Sequence, residues 1–414
     1  MSTADAKPGY GGPCLEALTV VFDNMSCDKK GWFASILELQ LVSLQVCATC
    51  RGVPTLFMTV ERRTPKHLWA RTAYCRRSRG QKKPRLAGVP ALRPHKLAWK
   101  LPASMLGQGG DALTSVKSLR FGDSGTGGVD LVAWPPSLEQ LTFGRDFNQP
   151  IVRAAWPTSL RRLVFGHSFN QPIHRVVWPA SLEALTFGHD FNQPIRDVIW
   201  PAQLQELTFA YSFNQSSEGV VWPGSLQQLT LGTNFEQPLD RVVWPVALRK
   251  IVLSWAFNKP IDGVRWPASL QELSFGVDFD QSIVAVAWPA SLKVLEFGVH
   301  FNQPLEGAVL PPSLHSLTFG SSFNQPVVGV MWPASLQRLT FGSNFNQPVD
   351  GASWPSSLQQ LEFGRNFRTS LDGIVWPASL ERLAIVRPPK DPLPTWPELK
   401  VCRVWRSYWA VPDT

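Results

Sequence analysis

Residues 156–177 read W-P-T-S-L-R-R-L-V-F-G-H-S-F-N-Q-P-I-H-R-V-V, and residues 178–199 read W-P-A-S-L-E-A-L-T-F-G-H-D-F-N-Q-P-I-R-D-V-I. The second stretch repeats the first at a distance of 22 residues. Outward from this pair, Trp-Pro recurs at 134, 200, 222, 244, 266, 288, 332, 354 and 376, and Leu310-Pro311 fills the one gap. Twelve units of 22 residues therefore run from Trp134 to Pro397 without insertion or deletion. A degenerate unit precedes them, with Val116, Leu119, Phe121 and Gly122 in phase. The consensus is W-P-A-S-L-Q-x-L-T-F-G-x-x-F-N-Q-P-I-x-G-V-x.

Counting each unit from its Trp, position 5 is Leu in all twelve units and position 8 is Leu in eleven, with Ile251 in the other. Position 10 is Phe in nine, then Leu231, Leu253 and Ile385, and a second Phe stands at position 14 from Phe147 to Phe367. The run x-L-T-F alternates polar and apolar with β-favouring residues, which is the pattern of a half-buried strand. The Gly that follows in nine units suits a sharp backbone turn. Two prolines per unit, at positions 2 and 17, exclude a helix of ordinary length and with it a βαβ unit.

One such unit cannot bury its apolar side alone, whereas stacked units bury Leu on Leu and Phe on Phe. The expected fold is a repeat solenoid, mainly β, with one parallel sheet along the array. Twelve coils at about 4.8 Å make a rod roughly 55–60 Å long. The skew toward 18 Trp, 24 Phe and 36 Pro in 414 residues follows from the repeat rather than from a rich globular core.

Asn follows the second Phe in eight units, as Asn148, Asn170, Asn192, Asn214, Asn258, Asn302, Asn324 and Asn346, and is replaced by Glu236, Asp280 and Arg368. A stacked Asn can satisfy turn groups of its own and neighbouring coils, so this column is read as a structural ladder and not as a ligand site. The Trp column is read likewise, as a stacked, partly buried edge rather than a sugar-binding stripe.

L-x-x-L-x-F-G-x-x-F-N-Q-P resembles the FNIP repeat, a 22-residue relative of the leucine-rich repeat; Asn148-Gln149-Pro150, Asn170-Gln171-Pro172 and Asn192-Gln193-Pro194 carry the match. Trp-Pro departs from the Ile-Pro or Leu-Pro usual in that family, and Leu310-Pro311 keeps the commoner form. The resemblance covers about two-thirds of the chain. It implies a leucine-rich-repeat-like solenoid that serves as a protein-interaction module, often joined to another domain, and it implies no catalytic residue.

The ends differ in kind. Residues 1–110 hold 17 Lys+Arg and 6 Asp+Glu, a net of +11, whereas residues 111–414 hold 23 and 25, a net of −2. The basic character thus belongs to the head, and an array that is not basic argues against nucleic-acid binding as the main function. The division expected is a head over 1–60, a basic linker over 61–88, an N-terminal cap with the degenerate repeat over 89–133, the solenoid over 134–385 and a C-terminal cap over 386–414. The run 76–85 reads as a nuclear-import signal, a polyanion contact or a solvated tether. Apolar spacings of three and four over 13–51 give a small head, mostly helical or partly disordered. The head loosely resembles an F-box, which implies docking to a Skp-type adaptor of a ubiquitin ligase, with the array selecting the substrate.

Candidate chemistry is sparse. Cys47, Cys50, His67 and Cys75 match no zinc spacing. Gly122-Asp123-Ser124-Gly125 copies a protease motif inside a degenerate repeat, without a matching His. No phosphate-binding or dinucleotide loop occurs. A non-enzyme without cofactor or metal is expected, with no membrane span, since Trp32–Cys50 is interrupted by Glu38, Gln40 and Gln45. The polar start from Met1 carries no signal peptide, so the setting expected is intracellular, cytoplasmic or nuclear.

Partner binding is sought where the repeat varies. Position 12 reads Arg145, His167, His189, Tyr211, Thr233, Trp255, Val277, Val299, Ser321, Ser343 and Arg365. His167, His189, Tyr211 and Trp255 fall within roughly 20 Å on coils stacked at 4.8 Å. Aromatic side chains are enriched at binding hot spots. This edge, with Arg161, Arg162 and Glu206 beside it, is the expected surface for an unidentified protein partner; the alternative is drift at tolerant positions. His167 and His189 lack an evident third and fourth metal ligand, so no metal site is expected there.

Overall fold

The computed structural model describes residues 116–123, 128–130 and 132–385, together with the strands at 20–21, 60–61, 96–99 and 401–404. Among the described residues every regular element is a strand. β1 (Val20–Val21) and β2 (Val60–Glu61) pair in parallel as an isolated ribbon. The F-box-like, helical reading of the head, the basic run 76–85 and the cysteine set at 47–75 otherwise lie outside the described residues.

The remaining fifteen strands form one parallel sheet in strict chain order. It starts with β3 (Lys96–Trp99) and β4 (Ser118–Phe121). One strand per unit follows, from β5 (Gln140–Thr142) to β16 (Arg382–Ile385), and the sheet ends at β17 (Val401–Val404). Gln140 pairs with Arg162 and Lys250 with Glu272, so register and repeat share the same 22-residue step. The step shortens only at the end, where Arg382 pairs with Val401.

Most strands cover only positions 7 to 9, for example Arg162–Val164, so the Phe at position 10 usually lies just past the strand. It remains buried, and it stacks on the Phe four residues later: Phe143 and Phe147 have centroids 4.0 Å apart. The position-14 rings then stack from coil to coil, Phe147 on Phe169 at 5.9 Å and Phe169 on Phe191 at 6.1 Å. Burying each Phe contributes roughly 1.5–3 kcal/mol, and each ring pair a further ~0.5–1.5 kcal/mol. Trp134 and its equivalents close the core, edge-on to the Phe rings and stacked on one another, as Trp200 on Trp222 at 6.2 Å. The Trp column is thus a core wall, not an open stripe.

The post-Phe glycine has a different reason from the one its turn position suggests. The left-handed glycines include Gly329 and Gly351, which stand three residues before the Trp. At Gly276 an added Cβ would lie 1.6 Å from the Ser254 carbonyl oxygen, and at Gly144 it would lie 1.8 Å from that of Gly122. Glycine is favoured because the preceding coil's backbone passes against it, not because the turn needs a positive φ, and among the described units only the small residues Ala210 and Ser254 replace it. Ser254, which occupies this position itself, turns its buried hydroxyl to the Phe235 carbonyl at 2.5 Å.

Candidate interaction surface

Three ladders fix the outer turns. In the Asn column every side-chain oxygen but that of Asn346 accepts from the next coil twice. Asn192 Oδ1 takes the Asn214 backbone N–H at 3.0 Å and the Gln215 Nε2–H at 2.9 Å. The same pair of bonds is made by Asn148, Asn170, Asn214, Asn258, Asn302 and Asn324, and Asn346 accepts from the Arg368 N–H. Asp280 replaces Asn without loss, accepting from Asn302 and Gln303 at 2.9 Å each. A second ladder, which the sequence reading left without a role, runs through the position-4 serines: Ser225 donates to the Leu204 carbonyl at 2.7 Å, and Ser159, Ser181 and Ser269 do the same one coil apart. The third is backbone alone: position 13 of each coil donates to position 12 of the coil before, as Asp190 to His167 at 2.8 Å and Ser212 to His189 at 2.8 Å.

That third ladder holds position 12 as an outward row. His167 and His189 stack with centroids 4.1 Å apart, and Tyr211 lies on the far face of His189 at 4.4 Å. Tyr211 is 45% exposed and Trp255 58% exposed. Trp255 stands two coils beyond Tyr211, with Thr233 between them. The candidate row is therefore a stacked trio followed by a separate, exposed indole.

Arg161, Arg162 and Glu206 stand elsewhere. They lie at or just before the start of the strand, five or six residues before the position-12 row, hence up to roughly 20 Å from it. Arg161 pairs with Glu183, and Arg162 reaches across two coils to Glu206 at 3.3 Å. Exposed pairs of this kind contribute about 0–1 kcal/mol.

Asp190 corrects one expectation. Its carboxylate faces both imidazoles, with Oδ1 2.7 Å from His189 Nδ1 and Oδ2 3.4 Å from His167 Nδ1. The two histidines thus have a third potential ligand beside them. The hydrogen bond with His189 holds the Asp190 carboxyl below the usual carboxylate range.

A feature missed in the sequence lies immediately before the Trp. Val177, Ile199, Val221 and Val243 occupy successive coils and are all strongly exposed, followed further on by Val309, Met331 and Val375. The signal was present as an apolar bias at a position that varies in size from Ala to Met. Near Trp255, an open depression is lined by Glu236, Asn258, Lys259, Asp278, Asp280 and His300. Among the described residues, no helix is long and apolar enough to cross a membrane.

The comparisons with known proteins agree with this architecture. The FNIP Repeat family profile matches residues 134–168, 155–190, 169–212, 191–234, 257–300, 301–344, 323–366 and 345–385. It leaves 235–256 unmatched, the unit stretch that holds Glu236, Leu253, Ser254 and Trp255. Among solved structures, the chain is similar to CroV588, described as a novel circular LRR protein, at 38% identity and a TM-score of 0.64. That alignment covers 71% of this chain and 44% of CroV588, so the chain spans less than half of that protein's length. An internalin (inlF) from Listeria monocytogenes aligns at 14% identity and a TM-score of 0.36, over 55% of this chain and 74% of that one. No match was found among curated proteins. With the family profile covering more than half of its residues, the chain belongs to the FNIP Repeat family.

Proposed function

We propose that the protein is a non-catalytic scaffold whose solenoid binds another protein through the position-12 edge, with Tyr211 and Trp255 as the anchors. The observation that carries this reading is the exposure of two large aromatic side chains on a row whose backbone is held by a hydrogen-bond ladder between successive coils. A rigid aromatic anchor loses little side-chain entropy on binding, which is why Tyr and Trp dominate hot spots. Repeat solenoids commonly bind partners along extended surfaces built from successive repeats. The alternative reading is an F-box-type substrate receptor of a ubiquitin ligase, in which the F-box-like head docks a Skp-type adaptor and the array selects the substrate.

Affinity capture of the intact protein, with partners identified by mass spectrometry, tests both readings. The Tyr211→Ala/Trp255→Ala double variant is expected to lose its array partner by about 30-fold or more, the effect of removing about 2 kcal/mol of hot-spot contact. Unchanged capture by a folded double variant removes the proposed edge. Absence of a Skp-type adaptor from the wild-type capture removes the F-box reading alone.

A further inference from the structure

We propose that His167, His189 and Asp190 bind one divalent transition-metal ion, with Zn2+ the best chemical fit, on the outer turn of the second and third repeat units. The proposal is independent of whether the position-12 edge binds a protein.

The three groups come from two units, and the stacking brings them together. Position 13 of a coil lies over position 12 of the one before, because its N–H donates to that carbonyl. Asp190 is therefore set over His167 as well as beside His189. The donor atoms of all three residues lie within 4.8 Å of one another, and the three side chains are half-buried. Both Nδ1 atoms already face the same carboxylate, each opposite a different oxygen. A metal ion would occupy the space between these atoms, each histidine ligating through Nδ1 as the neutral Nε2–H tautomer and the carboxylate exchanging its hydrogen bond with His189 for a bond to the metal.

The distances allow it. Zinc bonds of 2.0–2.1 Å in a tetrahedron set donor atoms about 3.3 Å apart, so the cluster must contract by roughly 1.5 Å at most. The parallel imidazole planes, 4.1 Å apart, must tilt for both lone pairs to converge. Rotation about χ2 supplies that tilt, since this torsion is broad and the rings are 39% and 40% exposed. Tyr211 on the outer face of His189 limits the direction of the tilt. Two imidazoles and one carboxylate suit zinc and its neighbours rather than Mg2+ or Ca2+, and three protein ligands leave an open position for water or for a donor from a bound protein.

The site is specific to these two coils. The same positions hold Arg145 and Asp146 below, and Tyr211 and Ser212 above. Asp278 and His300 form a pair at 3.0 Å, but no third His, Cys or Asp/Glu donor joins them at metal-binding distance among the described residues.

The test is calorimetric titration of the full-length chain with Zn2+, repeated with the His167→Gln/His189→Gln and Asp190→Asn variants. Co2+ absorbance is recorded alongside, because a thiolate site in the cysteine-bearing head gives intense charge-transfer absorption and a His/carboxylate site gives weak d–d bands alone. The expected result is one equivalent bound by the wild type that the double His variant loses and that Asp190→Asn weakens by more than about tenfold, with the Co2+ d–d bands of that equivalent disappearing in step. All three side chains lie on the surface, so the variants are expected to keep the wild-type far-ultraviolet spectrum; Asp190→Asn is the conservative control if the double variant does not. No bound equivalent in the wild type, or an equivalent that survives these substitutions, overturns the proposal.

Discussion

Replacing Asn192 with Ala and with Asp separates what the Asn ladder needs from what it merely contains. In the native rung, Asn192 supplies one acceptor oxygen to two donors on the next coil, Asn214 N–H at 3.0 Å and Gln215 Nε2–H at 2.9 Å. The Asn192 backbone N–H, bonded to Asn170, is untouched by either change. Asn192→Ala strands both donors. A buried orphan donor costs about 1–3 kcal/mol; these groups are half-buried, so water recovers part of the loss and the low end applies. The expected cost is about 2 kcal/mol, which is about 30-fold in the local opening constant.

Asn192→Asp keeps the acceptor, and Asp280 shows that a carboxylate makes both bonds with the same lengths. The expected cost at neutral pH is below about 0.5 kcal/mol. Global unfolding of a solenoid need not be two-state, so a local readout is required. Hydrogen–deuterium exchange mass spectrometry on peptides covering 210–218 supplies it. Protection there should fall by about 30-fold in the Ala variant and stay near wild type in the Asp variant. If the Asp variant loses as much as the Ala variant, the ladder depends on the Asn amide group and the acceptor argument is wrong. If neither loses protection, the rung contributes nothing to the coil.

Three further substitutions probe the other columns. Trp222 has its indole N–H buried without a hydrogen-bond partner, and Leu310 fills the same position in another unit, so Trp222→Leu should cost about 1–2 kcal/mol and Trp222→Ala about 3–5 kcal/mol of local stability, read by hydrogen exchange on the adjacent coils. Ser225→Ala removes the hydroxyl that donates to the Leu204 carbonyl and should lower stability by about 1 kcal/mol, with faster exchange confined to the adjacent coils. Gly342→Ala sets a Cβ 1.8 Å from the Gly320 carbonyl oxygen and should destabilise by about 1–3 kcal/mol through forced separation of two coils, visible as a lower thermal midpoint.

The columns were legible in the sequence because a 22-residue step without insertions maps each position onto itself in the next coil. Leu138, Phe147 and Asn148 could be assigned to layers before any coordinate was known, and the parallel register follows from the same step. What lay beyond reach was every contact made at an offset. Asp190 meets His167 across 23 residues, Gln215 meets Asn192 across 23, and Ser225 meets Leu204 across 21. These depend on how far one coil is shifted against the next, a quantity that like-on-like stacking does not encode. The glycine was assigned to a turn for the same reason: its constraint comes from a carbonyl one coil away. The exposed Val177–Val243 ridge was hidden by its own variability, since a position free in size gives no sign of whether it faces the core or water.

Departures at stacking positions lower stability, so where they gather bears on function. In this array they gather between 217 and 259. Ser217 buries a hydroxyl without a partner in a column otherwise filled by Ile, Leu or Val. Leu231 and Leu253 interrupt the position-10 Phe stack, so Phe235 and Phe257 lack the intracoil ring partner at about 4 Å that Phe213 and Phe279 keep. Glu236 and Lys259 remove the acceptor and the side-chain donor of one and the same Asn rung, leaving the Asn258 amide at an exposed position. A rung lost from both sides strands no side-chain donor, which makes this loss cheaper than the single truncation at Asn192. An interior coil can carry such a burden because intact neighbours on both sides hold it in register. These departures spread over three successive units; two of them, Glu236 and Leu253, fall in the stretch 235–256 that the family profile passes over, which also presents Trp255 to solvent. An exposed indole stands within this stretch, which makes Trp255, rather than the histidine end of the row, the side chain to substitute first in the capture experiment.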